Sequence, residues 1–291
     1  MPEAELEAFL RRDSAIVFAA LVALTLLAWL ALLAGAGTGM DPFAMSGWLL
    51  PAGAPAQSGL WNWAYWLIAF CMWAVMMVAM MLPAASPMVL LYGRVVRQSE
   101  RKGQLRNAAA CIAAFAGGYL SLWILFSAFA VTAQWALEHS GATSSMMALR
   151  SRAVAGALLI AAGLYQLTPL KESCLAHCRS PAEFLAAHWR GGVAGAWRMG
   201  LSHGAYCVGC CFALMLLLFV GGVMNLIWIA GLSVLVLLEK LMPQGEHLRV
   251  PLGVLMMVAG GHADRRQLKL RLRRRGTRRL EGSTPHARRA R

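Results

Sequence analysis

Gly200 to Met215 reads GLSHGAYCVGCCFALM and opens an apolar run that continues to Val220. Wound as a helix, the stretch sets His203, Cys207 and Cys211 at successive four-residue steps, with Cys210 three after Cys207, so the four side chains share one face. An imidazole with several sulfurs is a soft ligand set, suited to Cu(I), Zn or an iron-sulfur cluster and poorly suited to Mg or Ca. Free Cys also packs as a small hydrophobe in helix interfaces. Three Cys within five residues, one turn after a His in an apolar segment, point beyond packing, because polar residues inside a membrane are costly.

The 291 residues are 59% hydrophobic and 14% charged, well below the roughly 25% charged of soluble domains. The chain therefore reads as an integral membrane protein whose core is a helix bundle in lipid. Its formal net charge is +14, but 12 of the 27 Lys and Arg lie in the last 27 residues, opposed there only by Glu281. Such a polybasic tail suits anionic lipid at a cytoplasmic face or stays solvated and disordered. Nucleic acid is not expected as a partner.

Apolar runs over about 14–34, 60–82, 108–131, 150–167, 198–220 and 224–241 give six expected spans. The first reads as an uncleaved helix rather than a signal peptide. Trp61, Trp63 and Trp66 form an interfacial belt at the start of the second. Pro83 and Pro87 are expected to end or kink that helix. The piece from Val250 to Ala259 is too short to cross a bilayer of roughly 30 Å and reads as re-entrant or interfacial. The fold class is thus all-α: a polytopic transmembrane helix bundle over residues 1–262, with a polybasic tail over 263–291. With the N-terminus inside, Lys and Arg divide 25 inside to 2 outside. The positive-inside rule then sets both termini in the cytoplasm.

The same topology gathers soft residues toward the cytoplasmic side. CLAHC supplies Cys174, His177 and Cys178 on one side of a helical turn, and the second cluster supplies His203, Cys207, Cys210 and Cys211. Zinc and copper sites are commonly assembled from two such clusters. Met76, Met80 and Met81 near the end of the second span, Met215 one turn after Cys211, and Glu239 at the end of the sixth are additional candidates. A Met stripe is equally a packing device. Cys71 and Cys111 are assigned to packing and His188 to an interface. There is no nucleophile with a base partner, no P-loop and no dinucleotide fingerprint, so an enzyme is not the first expectation.

Several stretches resemble the bacterial inner-membrane proteins described as predicted metal-binding integral membrane proteins, domain of unknown function number 2182. They are AMMLPAASP at Ala79 to Pro87, YQLTPLKESCLAHCRSP at Tyr165 to Pro181, the Gly200 to Met215 stretch, GVMN at Gly222 to Asn225 and EKLMPQG at Glu239 to Gly245. The resemblance covers about Leu60 to Gly260 and implies a multi-helix membrane protein that binds metal, with no established activity. Phe212 stands where Trp is expected, a departure that touches no candidate ligand. The first span and the tail lie outside it.

Taken together, the expectation is a membrane protein handling Cu(I), or second to it Zn, as a transporter or a delivery and assembly factor with an unknown protein partner. Cu(I) comes first because Met thioether suits it and rarely suits Zn. A membrane thiol oxidoreductase using Cys174 and Cys178, or Cys207 and Cys210, and a non-catalytic scaffold are the alternatives.

Overall fold

The structure is a computed structural model that describes residues 3–38, 42–43, 46, 61–144, 147–242 and 247–263. It is helical throughout, with one isolated bridge, Thr143 to Leu149, outside the helices among the described residues. In chain order the helices are α1 (Glu3–Leu33), α2 (Trp63–Arg101), α3 (Ala108–His139), α4 (Arg152–Gln166), α5 (Pro169–Arg179), α6 (Pro181–His188), α7 (Gly192–Leu216), α8 (Leu218–Gly221) and α9 (Leu226–Leu241). A last helix, α10, covers 247–263. The polybasic tail and most of the 35–59 loop lie outside the described residues.

Local chemistry sets the helix starts. The side chains of Asn62, Asn107, Ser151, Thr168 and Asn225 each accept from backbone N–H groups of the first turn that follows. Thr168 followed by Pro169 divides α4 from α5 as the sequence suggests, with a 63° bend between them.

Pro83 and Pro87 do not end α2, which continues through both to Arg101. Pro87 has no N–H to give to the Pro83 carbonyl four residues back. The Ser86 hydroxyl donates to that carbonyl instead, at 2.7 Å. Substitution by a Ser hydroxyl is one way in which apolar helices tolerate proline.

Four helices are long and apolar enough to cross a membrane: Ser14–Leu33 of α1, α2, α3, and α7 with α8. The bent pair α4 and α5 makes a fifth if counted as one span. Of the other expected spans, α9 has 16 residues. Leu24, Leu26, Leu27 and Leu30 on α1, and Leu125 and Phe129 on α3, remain largely exposed. An apolar exterior of this kind is what lipid covers.

Two glycine contacts set the helix spacing. Gly200 and Gly204 form a GxxxG pair on α7 that faces α3. A Cβ on Gly200 would come 2.1 Å from the Phe115 carbonyl oxygen, and one on Gly118 would come 2.3 Å from that of Trp197. The two backbones touch there, the close approach that small residues permit between apolar helices. On the other side of the bundle, Gly156 meets Gly260 and Gly163 meets Gly253, so α10 runs antiparallel to α4 in close contact. Arg249 ties the start of α10 to α5 through the Thr168 carbonyl and the Glu172 carboxylate.

The α10 helix extends beyond the apolar piece from Val250 to Ala259 at both ends. Counting only the apolar stretch omits the flanking residues, and the 17-residue helix is about 25 Å long. It carries the chain from the Lys240 end of the bundle back to the Arg152 end, where Ala263 sits against Gly156.

Two outcomes test this packing. Gly200→Ala should destabilise the detergent-purified protein by about 1–3 kcal/mol through overpacking, despite the better helix propensity of Ala; an unchanged or raised melting temperature would mean that α3 and α7 are not in backbone contact. A topology reporter fused after Ala263 should report the membrane face opposite to one inserted at Lys102, and the same face for both would contradict the placement of α10.

Candidate metal centre

The α3 and α7 contact brings Tyr119 onto Cys207. Its hydroxyl lies 3.1 Å from the Cys207 sulfur and 3.1 Å from the Met81 carbonyl, so three helices meet at one phenol. Cys207 carries a second polar neighbour, because the Lys240 ammonium donates to its sulfur at 2.8 Å. Cys210 donates to the Cys207 carbonyl at 3.2 Å, and its sulfur lies 3.2 Å from that of Cys211.

From the neighbouring helix α5, the Cys178 sulfur reaches to 3.9 Å from that of Cys210. Cys207 is tied to this pair through its carbonyl, which accepts from Cys210, and Cys211 adjoins Cys210. Cys178 thus approaches the α7 thiols as expected and joins α5 to α7 in one knot of sulfurs, whereas Cys174 does not enter it. Cys207, Cys210 and Cys211 are at most 1% exposed, whereas Cys178 is only partly buried.

The other candidates fall outside the knot. Cys174 packs its sulfur against Gly209, where a Cβ would come within 2.8 Å of it. The Tyr165 hydroxyl donates to the Gly209 carbonyl just beside it. His177 stacks on Tyr206 at 4.3 Å and bonds the Ser173 carbonyl through Nδ1. His203 is buried among the rings of Phe115, Tyr119 and Phe184, and its Nδ1 has no hydrogen-bond partner. Met76, Met80, Met81 and Met215 are fully buried in the same core as the three α7 cysteines.

Glu239 is committed elsewhere. Its carboxylate accepts from Lys171 Nζ at 2.8 and 3.1 Å and from Gln166 Nε2 at 3.0 Å. Both charged residues are at most 1% exposed. This buried pair fastens α9 to α4 and α5, and so holds Lys240, the next residue, beside the thiols. As to the packing assignments, Cys111 is buried while Cys71 is exposed on the outer side of α2.

No group of three or more His, Cys, Asp or Glu side chains among the described residues is arranged around a common centre that could hold an ion. The sulfur spacings show why. Bonds of about 2.3 Å in a tetrahedral sulfur site hold the sulfurs about 3.8 Å apart. Cys178 and Cys210 match that separation, but Cys210 and Cys211 lie closer and would have to spread. What the residues offer is the donor chemistry: soft thiols with a cation next to them, and no free carboxylate.

A family model described as PpoB2, copper chaperone, matches residues 70–263, two thirds of the chain. The chain belongs to this copper chaperone family. The match takes in all seven cysteines and the helices from most of α2 through α10, and leaves out α1 and the tail. No curated protein and no solved structure matches the chain.

Sequence reading missed Tyr119 and did not single out Lys240. No spacing rule links Tyr119 to Cys207, 88 residues later. For Lys240 a signal existed: adjacent helical residues point about 100° apart, so Glu239 and Lys240 cannot both face Lys171.

Removing one partner of the buried pair should be costly. Lys171→Met is expected to lose about 3–5 kcal/mol of stability by leaving Glu239 unpaired, with much of that recovered in the Lys171→Met, Glu239→Met double variant. Equal losses in single and double variants, read by thermal unfolding, would show that the charge pair is not what the single change disrupts.

Proposed function

We propose that this protein is a membrane-embedded Cu(I) chaperone of the bacterial inner membrane, which takes the ion on the thiols of Cys178, Cys207, Cys210 and Cys211 and passes it to a protein partner. Copper is its cargo. The observation that carries the reading is the approach of Cys178 on α5 to Cys210 on α7, at 3.9 Å beside the Lys240 ammonium, in a chain of copper chaperone family.

Thiolate suits soft Cu(I); two of these thiols hold the ion at a time, and at each the S–H bond is exchanged for an S–Cu bond with its proton leaving to water. Cys178 and Cys174 are partly exposed while the α7 thiols are buried. The α5 sulfurs therefore serve as the point of exchange with a partner, and the α7 sulfurs as the inner holding site. Met76, Met80, Met81 and Met215 supply a soft wall. The glycine contacts and the Lys171 to Glu239 pair keep the helices in place while the ligands exchange.

The same burial counts against a thiol oxidoreductase acting through Cys207 and Cys210, since a partner thiol must reach the reactive sulfur, and Cys207, Cys210 and Cys211 lie within the core. The exposed apolar faces of α1 and α3 support the membrane setting. The Arg and Lys of the Gly93 to Asn107 segment support its exposure to the cytoplasm.

Under anaerobic, reducing conditions the detergent-purified protein should retain Cu(I) through desalting. Cys178→Ser and Cys207→Ser should each lower its Cu(I) affinity by tenfold or more, on the order of a lost soft ligand, while Cys71→Ser and Cys111→Ser leave it unchanged. Equal retention in all four variants would overturn the proposal.

A further inference from the structure

Lys240 is 7% exposed, and the hydrogen-bond partner of its ammonium is the Cys207 sulfur at 2.8 Å. The carboxylate next to it in sequence cannot neutralise it, because Glu239 turns to Lys171 and Gln166. Beyond Cys207 lie Cys210 and Cys211 on the same helix, with the Cys178 sulfur 3.9 Å from that of Cys210. Lys171, Glu239 and Lys240 thus leave one positive charge in excess at this end of the bundle, facing sulfur, with the other buried carboxylate, Glu138, held by Trp61 and Gln134 toward the opposite end of α2 and α3. Uncompensated charge in such a place costs several kcal/mol, so the charge on whatever the thiols bind matters to the stability of the whole site.

We infer that Lys240 makes the site selective for a monovalent over a divalent metal ion, by supplying the single positive charge that neutralises a dithiolate Cu(I) centre. This deepens the copper-handling reading and rests on it. Cu(I) held by two thiolates carries a net charge of minus one, which one ammonium cancels. Zn(II) takes four ligands in a tetrahedron. With four thiolates it carries minus two, and Lys240 leaves minus one uncompensated. Zn(II) reaches neutrality beside Lys240 with three thiolates and one neutral donor, and the neighbouring imidazole, His203, is enclosed by Phe115, Tyr119 and Phe184 with ring centroids 5.3–6.2 Å away. Lys240 is therefore a specificity-determining residue that acts through its charge on the ligands and needs no bond to the metal.

The test uses the full-length protein in detergent without oxygen, with Cu(I) and Zn(II) each titrated against a chromophoric chelator. Wild type is compared with Lys240→Met, Lys240→Gln and Lys240→Arg, and thermal unfolding of the metal-free proteins reports folding. The neutral variants should lose at least about tenfold of the Cu(I)-over-Zn(II) preference, as expected for a unit charge removed at close range, while Lys240→Arg keeps the preference to within about threefold. Should Lys240→Met not fold, Lys240→Gln, which retains hydrogen-bond donors and lacks only the charge, carries the comparison. A preference unchanged in a folded neutral variant, or lost equally in Lys240→Arg, would overturn the selectivity role while leaving the copper-handling reading in place. Wild-type protein that binds no Cu(I) would overturn the copper-handling reading itself.

Discussion

Backbone contact between α3 and α7 at Gly118 and Gly200 is the constraint on which the rest of the structure depends. With carbonyl oxygens 2.1–2.3 Å from where a Cβ would stand, no other residue fits without separating the helices. That separation would act directly on the sulfur knot, because Tyr119 lies one residue beyond Gly118 and Cys207 seven beyond Gly200. Apolar helices in lipid gain little from hydrophobic association and depend on close packing and polar contacts between helices. Glycines supply the first here, and the Tyr119, Cys207 and Lys240 contacts supply the second.

The polar groups inside the bundle are few and play different roles. Lys171 and Glu239 cancel each other and fasten three helices. Trp73, Gln134, Glu138 and Trp61 form a separate hydrogen-bonded chain toward the opposite end of α2 and α3. Lys240 is the charge left facing the thiols, and its placement follows from the buried ion pair. The grip of Lys171 on Glu239 sets the rotation of α9, and the next residue then points to α7. A structural ion pair thereby orients a group that bears on metal chemistry.

Much of this was legible in the sequence because the decisive signals are local. The four-residue steps of His203, Cys207 and Cys211 placed them on one helical face, and Thr168 with Pro169 marked the bend that lets Cys178 return to α7. Contributions from distant helices were not legible. His203 shares the face of Cys207, yet its ring is held by Phe115, Tyr119 and Phe184 from α3 and α6, which spacing within α7 cannot reveal. His177 likewise goes to Tyr206. The prolines did not end α2, where a neighbouring hydroxyl replaces the donor missing at Pro87. The full extent of α10 was not legible because hydropathy marks only its apolar centre, whereas the helix pairs along α4 through Gly253 and Gly260.

The central claim is that sulfurs from two helices share one copper ion. X-ray absorption at the copper edge of the Cu(I)-loaded protein tests it most directly. The account predicts a first shell of sulfur alone that loses a sulfur, or admits a nitrogen or oxygen, when Cys178 is changed to Ser. A first shell dominated by nitrogen or oxygen, or one indifferent to both Cys178→Ser and Cys207→Ser, would contradict it.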